Sequence, residues 1–233
     1  MTSSDATLYY VHDPMCSWCW AFRPALNAVI VDLPSDIHLT YFLGGLARDT
    51  DDPMPNNLCH QIKNHWRTIQ IRVPDTKFNF DFWEKCHPRR STYPACRAVL
   101  AAKCQDTHYE VPMIEAIQHA YYLQARNPSN TDTLLELANE IGLDVERFST
   151  ELNSDKTKAL LKHEIDFVRQ MGGNSFPMLL LEKNNAYHQI LIDYIHPDKM
   201  LKEINHFLAY RDNGGHGTSN RNHGEHGSST GHG

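Results

Sequence analysis

Cys16-Ser17-Trp18-Cys19 follows directly on the strand-like run Leu8-Tyr9-Tyr10-Val11. Two cysteines at this spacing can close a disulfide within one turn of chain. If Cys16 starts a helix, its sulfur lies among the unpaired N–H groups of the first turn, at the positive end of the helix dipole. A thiol in that setting has a lowered pKa and is a nucleophile at neutral pH. The pair is then a redox couple in which Cys16, nearer the helix start and more exposed, attacks and Cys19 resolves the mixed disulfide. Two plainer readings compete. Half of a zinc site needs a second pair of cysteines or a histidine pair at ligand spacing. Cys86-His87, Cys96 and Cys104 do not supply one, and no metal ligands are assigned. The other is a pair of inert, buried thiols.

The surrounding pattern is mixed α/β. Residues 7–13 read as a strand, 16–31 as a helix that Pro24 should kink, and 37–43 as a second strand. Together they make one βαβ unit. From about Pro55 to Met171 the periodicity is helical, with candidate helices over 56–70, 92–104, 111–125, 131–141, 144–152 and 155–171. Gly142 is a natural helix stop and Ser154 a natural N-cap. Strands over 178–181 and 187–190 flank the turn Lys183-Asn184-Asn185, and a last helix covers 198–210. This order, β-α-β, helices, β-β-α, is that of a thioredoxin fold with a large all-helical insertion. The divisions expected are 1–50 for the first half, 51–171 for the insertion, 172–210 for the second half and 211–233 for a tail.

Composition removes several function classes. The net charge is −6 without a large basic run, which argues against nucleic acid as a partner. No stretch approaches the roughly 20 apolar residues that span a bilayer. Residues 1–6 show neither a basic nor an apolar leader segment, so a cytoplasmic location is expected. In that reducing compartment most of the six cysteines should be free. The tail carries His216, His223, His226 and His232 among Gly and polar residues. It is expected to be disordered, with weak transition-metal binding as a possible property.

Four segments carry a family resemblance: Asp13-Pro14-Met15-Cys16-Ser17-Trp18-Cys19-Trp20, Leu43-Gly44-Gly45-Leu46, Phe80-Asp81-Phe82-Trp83, and Arg90-Ser91-Thr92-Tyr93-Pro94-Ala95-Cys96-Arg97. Over about residues 7–208 the chain resembles the cytoplasmic DsbA-like branch of the thioredoxin superfamily that includes FrnE-type proteins. The resemblance implies a dithiol–disulfide oxidoreductase or isomerase, with Cys16 as nucleophile, Cys19 as resolving thiol and Pro177 as a cis-proline facing the pair. Phe176, just before Pro177, would present its backbone to an extended substrate segment. Ser17 and Trp18 complete the substrate-binding set. Protein or small-molecule thiols and disulfides are the implied partners, with glutathione as a possible co-substrate and no bound cofactor.

The chain departs from strongly oxidising relatives in carrying Ser-Trp, with no histidine, between the cysteines. The thiolate should therefore be stabilised mainly by the helix terminus, giving a less oxidising potential. His12 is either a tuning group or a solvent-facing strand residue. Arg90, Thr92 and Tyr93 either border the cleft or belong to a helix capped by Ser91 or Thr92. Phe80, Phe82 and Trp83 suit core packing better than an apolar rim. Cys96 suits a small buried hydrophobe. The rival function is a glutathione-dependent transferase or isomerase of the kappa or hydroxychromene-carboxylate isomerase type, which does not need Cys19. A third is a non-catalytic metal-handling protein.

Overall fold

The computed structural model describes residues 6–173 and 175–213. Strand β1 (Ala6–His12) leads into helix α1 (Ser17–Val31), and β2 (Ile37–Leu43) returns parallel to β1. Helices α2 (Asn56–Arg72), α3 (Phe82–Lys85), α4 (Tyr93–Gln105), α5 (Glu110–Tyr122), α6 (Thr131–Glu140), α7 (Val145–Leu152) and α8 (Asp155–Gln170) follow. Strands β3 (Met178–Lys183) and β4 (Ala186–Ile190) and helix α9 (Pro197–Asn213) complete the described residues. The tail beyond residue 213, with its four histidines, lies outside them.

The sheet order is β2-β1-β3-β4, with β3 antiparallel to both of its neighbours. The β3–β4 turn is tight because Asn184 and Asn185 both take positive φ, 54° and 59°, the backbone a two-residue hairpin demands. Strand alternation sends side chains to two cores. Leu8, Tyr10, Leu179 and Leu181 pack with Phe22, Leu26 and Val29 of α1 and Met200 and Ile204 of α9. Val11, Met178 and Leu180 pack with Val168 of α8 on the opposite face.

The insertion has its own core, centred on Trp66 and built with Phe82, Met113, Ile117, Tyr122 and Leu134. Phe78 stacks on Trp66 at 4.7 Å between ring centroids, and Phe80, Phe82 and Trp83 surround it. The aromatic segment 78–83 is therefore interior packing. Among the described residues no helix is long and apolar enough to cross a membrane.

Glu164 of α8 reaches across to the end of β2 and accepts the backbone N–H of Leu43 at 2.8 Å. Burial lifts its pKa from 4.5 to about 7, against the opposing pull of that hydrogen bond and of Lys103. Its folded-state pKa is above its unfolded value, so the native state holds the extra proton. The contribution of this group to stability is therefore fully present below about pH 4.5 and is lost as pH rises through about 7. Glu164→Gln keeps an acceptor for Leu43 and removes the titration. Relative to wild type the variant should gain on the order of 2–3 kcal/mol between those pH limits. Urea unfolding at several pH values reads this; parallel curves for the two proteins would refute it.

Candidate active site

Cys16 is the N-cap of α1, with extended φ and ψ of −82° and 117°. The β1–α1 turn sets it there: its N–H donates to the Asp13 carbonyl at 2.9 Å, and its carbonyl accepts from Trp20 N–H at 3.0 Å. The thiol is nearly buried, 7% exposed, and Cys19 one turn on is fully buried. The two sulfurs are not at disulfide distance. The Cys16 pKa is lowered, first by the hydrogen bond from Cys19 and then by the backbone N–H groups of Cys19 and Trp18. Burial and the Asp13 charge oppose them. The neighbouring thiol thus ranks ahead of the helix terminus that the sequence puts first. Cys19 moves the other way, well above its ordinary value, because it is buried and beside the Cys16 thiolate.

Phe176 and Pro177 come from the far side of the insertion and close over the pair. The Cys16 Sγ lies 3.7 Å from the Phe176 carbonyl oxygen, and the Phe176–Pro177 peptide is cis. Gly44 makes the approach possible: a Cβ there would sit 2.0 Å from Phe176 Cζ. Gly44→Ala must therefore displace the Phe176 ring, and the expectation is that the carbonyl over Cys16 shifts with it. We expect a cost of about 1–3 kcal/mol and at least a tenfold slower Cys16 alkylation or exchange, since a misplaced reacting group costs roughly this much or more. Unchanged thiol kinetics in a folded variant would show that the ring position is irrelevant.

Trp18 lines the outer side of the motif, 5.3 Å from the Tyr194 ring and with the Arg72 guanidinium 5.9 Å from its own. Ser17 is the first residue of α1. Beyond Trp18 a cavity of about 550 Å³ runs beside α1, walled by Trp20, Val73, Lys77, His119 and Tyr194.

The structure changes the reading of His12. It is fully buried, not solvent-facing, and stacks on Tyr10 at 5.0 Å. Neither ring nitrogen has a hydrogen-bond partner, and burial drives its pKa down to about 3. A neutral imidazole adds no positive charge beside the thiolate.

Thr92 also differs from expectation. It occupies the N-cap of α4 but makes no side-chain cap bond. Its Oγ1 instead donates to Asp13 Oδ2 at 2.6 Å and accepts Ala47 N–H at 3.0 Å. Asp13, fully buried, also accepts from Met15 N–H at 2.8 Å, Leu46 N–H at 2.7 Å and the Cys96 thiol at 3.5 Å. One carboxylate thus joins the β1–α1 turn, the loop after β2 and the start of α4. Burial raises its pKa, and these donors pull it back. Sequence reasoning passed over the role of Asp13. An acid immediately before the proline of the motif was the signal available for it. Cys96, as expected, is a buried interior thiol.

Comparison with known proteins agrees with this architecture. A structure of a candidate protein disulfide isomerase from Nitrosomonas europaea superposes with a TM-score of 0.77 at 27% identity, covering 88% of this chain and 98% of that one. The cytosolic disulfide reductase DsbM from Pseudomonas aeruginosa gives 0.66 at 24% identity, covering 88% and 97%. The ClpXP adapter protein SpxH of Halalkalibacterium halodurans is 23% identical over 77% of this chain, which spans only 59% of that relative's length. The fold is the DsbA-like form of the thioredoxin fold. Residues 9–203 match the family model described as Thioredoxin, and the chain belongs to that family.

Proposed function

We propose that the protein is a thiol–disulfide oxidoreductase cycling Cys16 and Cys19 between dithiol and disulfide. The observation that carries this is the geometry of the pair: Cys16 caps the start of α1 with Cys19 one turn on, and the Cys16 Sγ lies 3.7 Å from the Phe176 carbonyl oxygen brought over from the second half of the chain. In the reducing direction the Cys16 thiolate attacks a substrate disulfide, forming a mixed disulfide and releasing one substrate sulfur as thiolate. The Cys19 thiol gives up its proton and attacks the Cys16 sulfur. The Cys16–Cys19 disulfide closes, the second substrate thiol leaves, and two electrons have passed from protein to substrate. Two thiols of a small-molecule or protein reductant would restore the dithiol. The Phe176 carbonyl, 3.7 Å from the attacking sulfur, is placed to pair with substrate backbone.

Glutathione is a reasonable small thiol partner, since the DsbM relative has been solved with it. Disulfide isomerase activity uses the same first step and the same residues. A cytoplasmic setting suits a dithiol that acts as reductant, and no bound cofactor is needed by these steps. The glutathione-transferase alternative gives Cys19 no role. The deciding test is Cys19→Ser, which stalls an oxidoreductase at the mixed disulfide and spares a transferase.

A further inference from the structure

A cavity of about 350 Å³ lies between the loop after β2, the start of α4 and α8. Arg48, Arg97, Lys158, Lys162 and Arg169 line it, against two carboxylates, Asp49 and Asp166. Both carboxylates are already engaged. Arg97, 6% exposed, grips Asp49 through both terminal nitrogens at 2.8 and 2.9 Å. Asp166 holds Lys162, and Arg169 only approaches it, at 4.0 Å. Lys158 has Asp155, outside the cavity, at 3.6 Å. Arg48 has no ion pair or hydrogen bond among the described residues. This local excess of positive charge stands out in a chain of net charge −6.

The cavity is joined to the thiol site by the loop after β2, which contributes to both. Gly44 carries the Phe176 ring, and Leu46 is pinned by Asp13. Gly45 is pressed against Tyr93 and Ile165, both of which line the cavity. The next residues, Arg48 and Asp49, form its wall. From Gly44 to Arg48 the chain spans at most roughly 14 Å, the reach of a few residues of extended peptide.

We propose that this cavity is a specificity subsite that takes the carboxylate of an acidic residue lying a few positions from the reacting cysteine of a peptide substrate. Arg48 and Arg169 are its principal donors. The proposal rests on the thiol-exchange reading. Its test uses the pre-reduced full chain and two short peptide disulfides that differ only in Glu or Gln three residues from the cysteine. At low ionic strength the Glu peptide should be reduced about five- to tenfold faster, and molar salt should erase the difference. Arg48→Ala combined with Arg169→Ala should lower the Glu rate to the Gln rate and leave the Gln rate unchanged. Both residues are exposed, so the variant keeps its fold. Equal rates for the two peptides with wild type overturn the subsite. Calorimetry with serine in place of the peptide cysteine reads the cavity without chemistry. A Glu preference there with no reduction of either peptide would sink the exchange reading and leave the subsite standing. Reduction of both without any preference would do the reverse.

Discussion

Cys16→Ser should abolish exchange, slowing reduction of a peptide disulfide at least about a thousandfold, because the attacking thiolate is gone. Cys19→Ser has a different result. It keeps the nucleophile, reacts once, and stalls with a single substrate thiol attached to each chain. The distinction follows from the two opposite pKa displacements: Cys16 is stabilised as thiolate by its neighbour and by two backbone N–H groups, while Cys19 is buried and protonated. Serine at position 19 still donates a hydrogen bond, so Cys16 should remain reactive to alkylation at neutral pH. Intact-protein mass after mixing with glutathione disulfide reads the adduct directly. Full multiple turnover by Cys19→Ser would mean that the second thiol is dispensable and would favour the transferase alternative.

Asp13→Ala should cost about 3–5 kcal/mol, the range for removing one member of a buried polar constellation. Two backbone N–H groups, the Thr92 hydroxyl and the Cys96 thiol would lose their common acceptor. Each buried donor left unpaired costs about 1–3 kcal/mol, and partial relaxation keeps the total below their sum. Asp13→Asn is no rescue, because an amide nitrogen in the place of Oδ2 would face the Leu46 N–H donor to donor. At about 2–4 °C per kcal/mol for a chain of this size, the melting midpoint should fall by roughly 6–20 °C. A second effect separates this from a general loss of packing. The Asp13 charge raises both thiol pKa values, so in the folded variant the alkylation profile of Cys16 should move to lower pH. A midpoint within a degree or two of wild type would show that the carboxylate is not the junction described.

The βαβ unit was legible because its evidence is local. The strand expected over 37–43 has the bounds of β2, and Asn184-Asn185 specifies the hairpin turn through its own backbone preference. The position of Cys16 at the helix start was likewise readable from strand, proline and cysteine spacing. What escaped depends on long-range contacts. The short helix Phe82–Lys85 is a single turn held by the Trp66 cluster, with too few residues for periodicity to reveal. Thr92 looked like a helix cap because residue type is all a sequence offers; Asp13, distant in sequence, takes its hydroxyl instead. His12 looked ambiguous because alternation cannot show that both faces of a central strand are covered. The space that admits Phe176 was hidden for the same reason, since the Gly-Gly pair names no partner.

The account turns on one property, a reversible two-electron couple confined to Cys16 and Cys19. A glutathione redox titration of the purified chain, with mass mapping of the peptide that contains both cysteines, measures it. The expected result is a single transition between dithiol and intramolecular disulfide in that peptide, with Cys59, Cys86, Cys96 and Cys104 unchanged. Two unpaired thiols throughout, or glutathione bound to Cys16 with no Cys16–Cys19 bond at any poise, would contradict it.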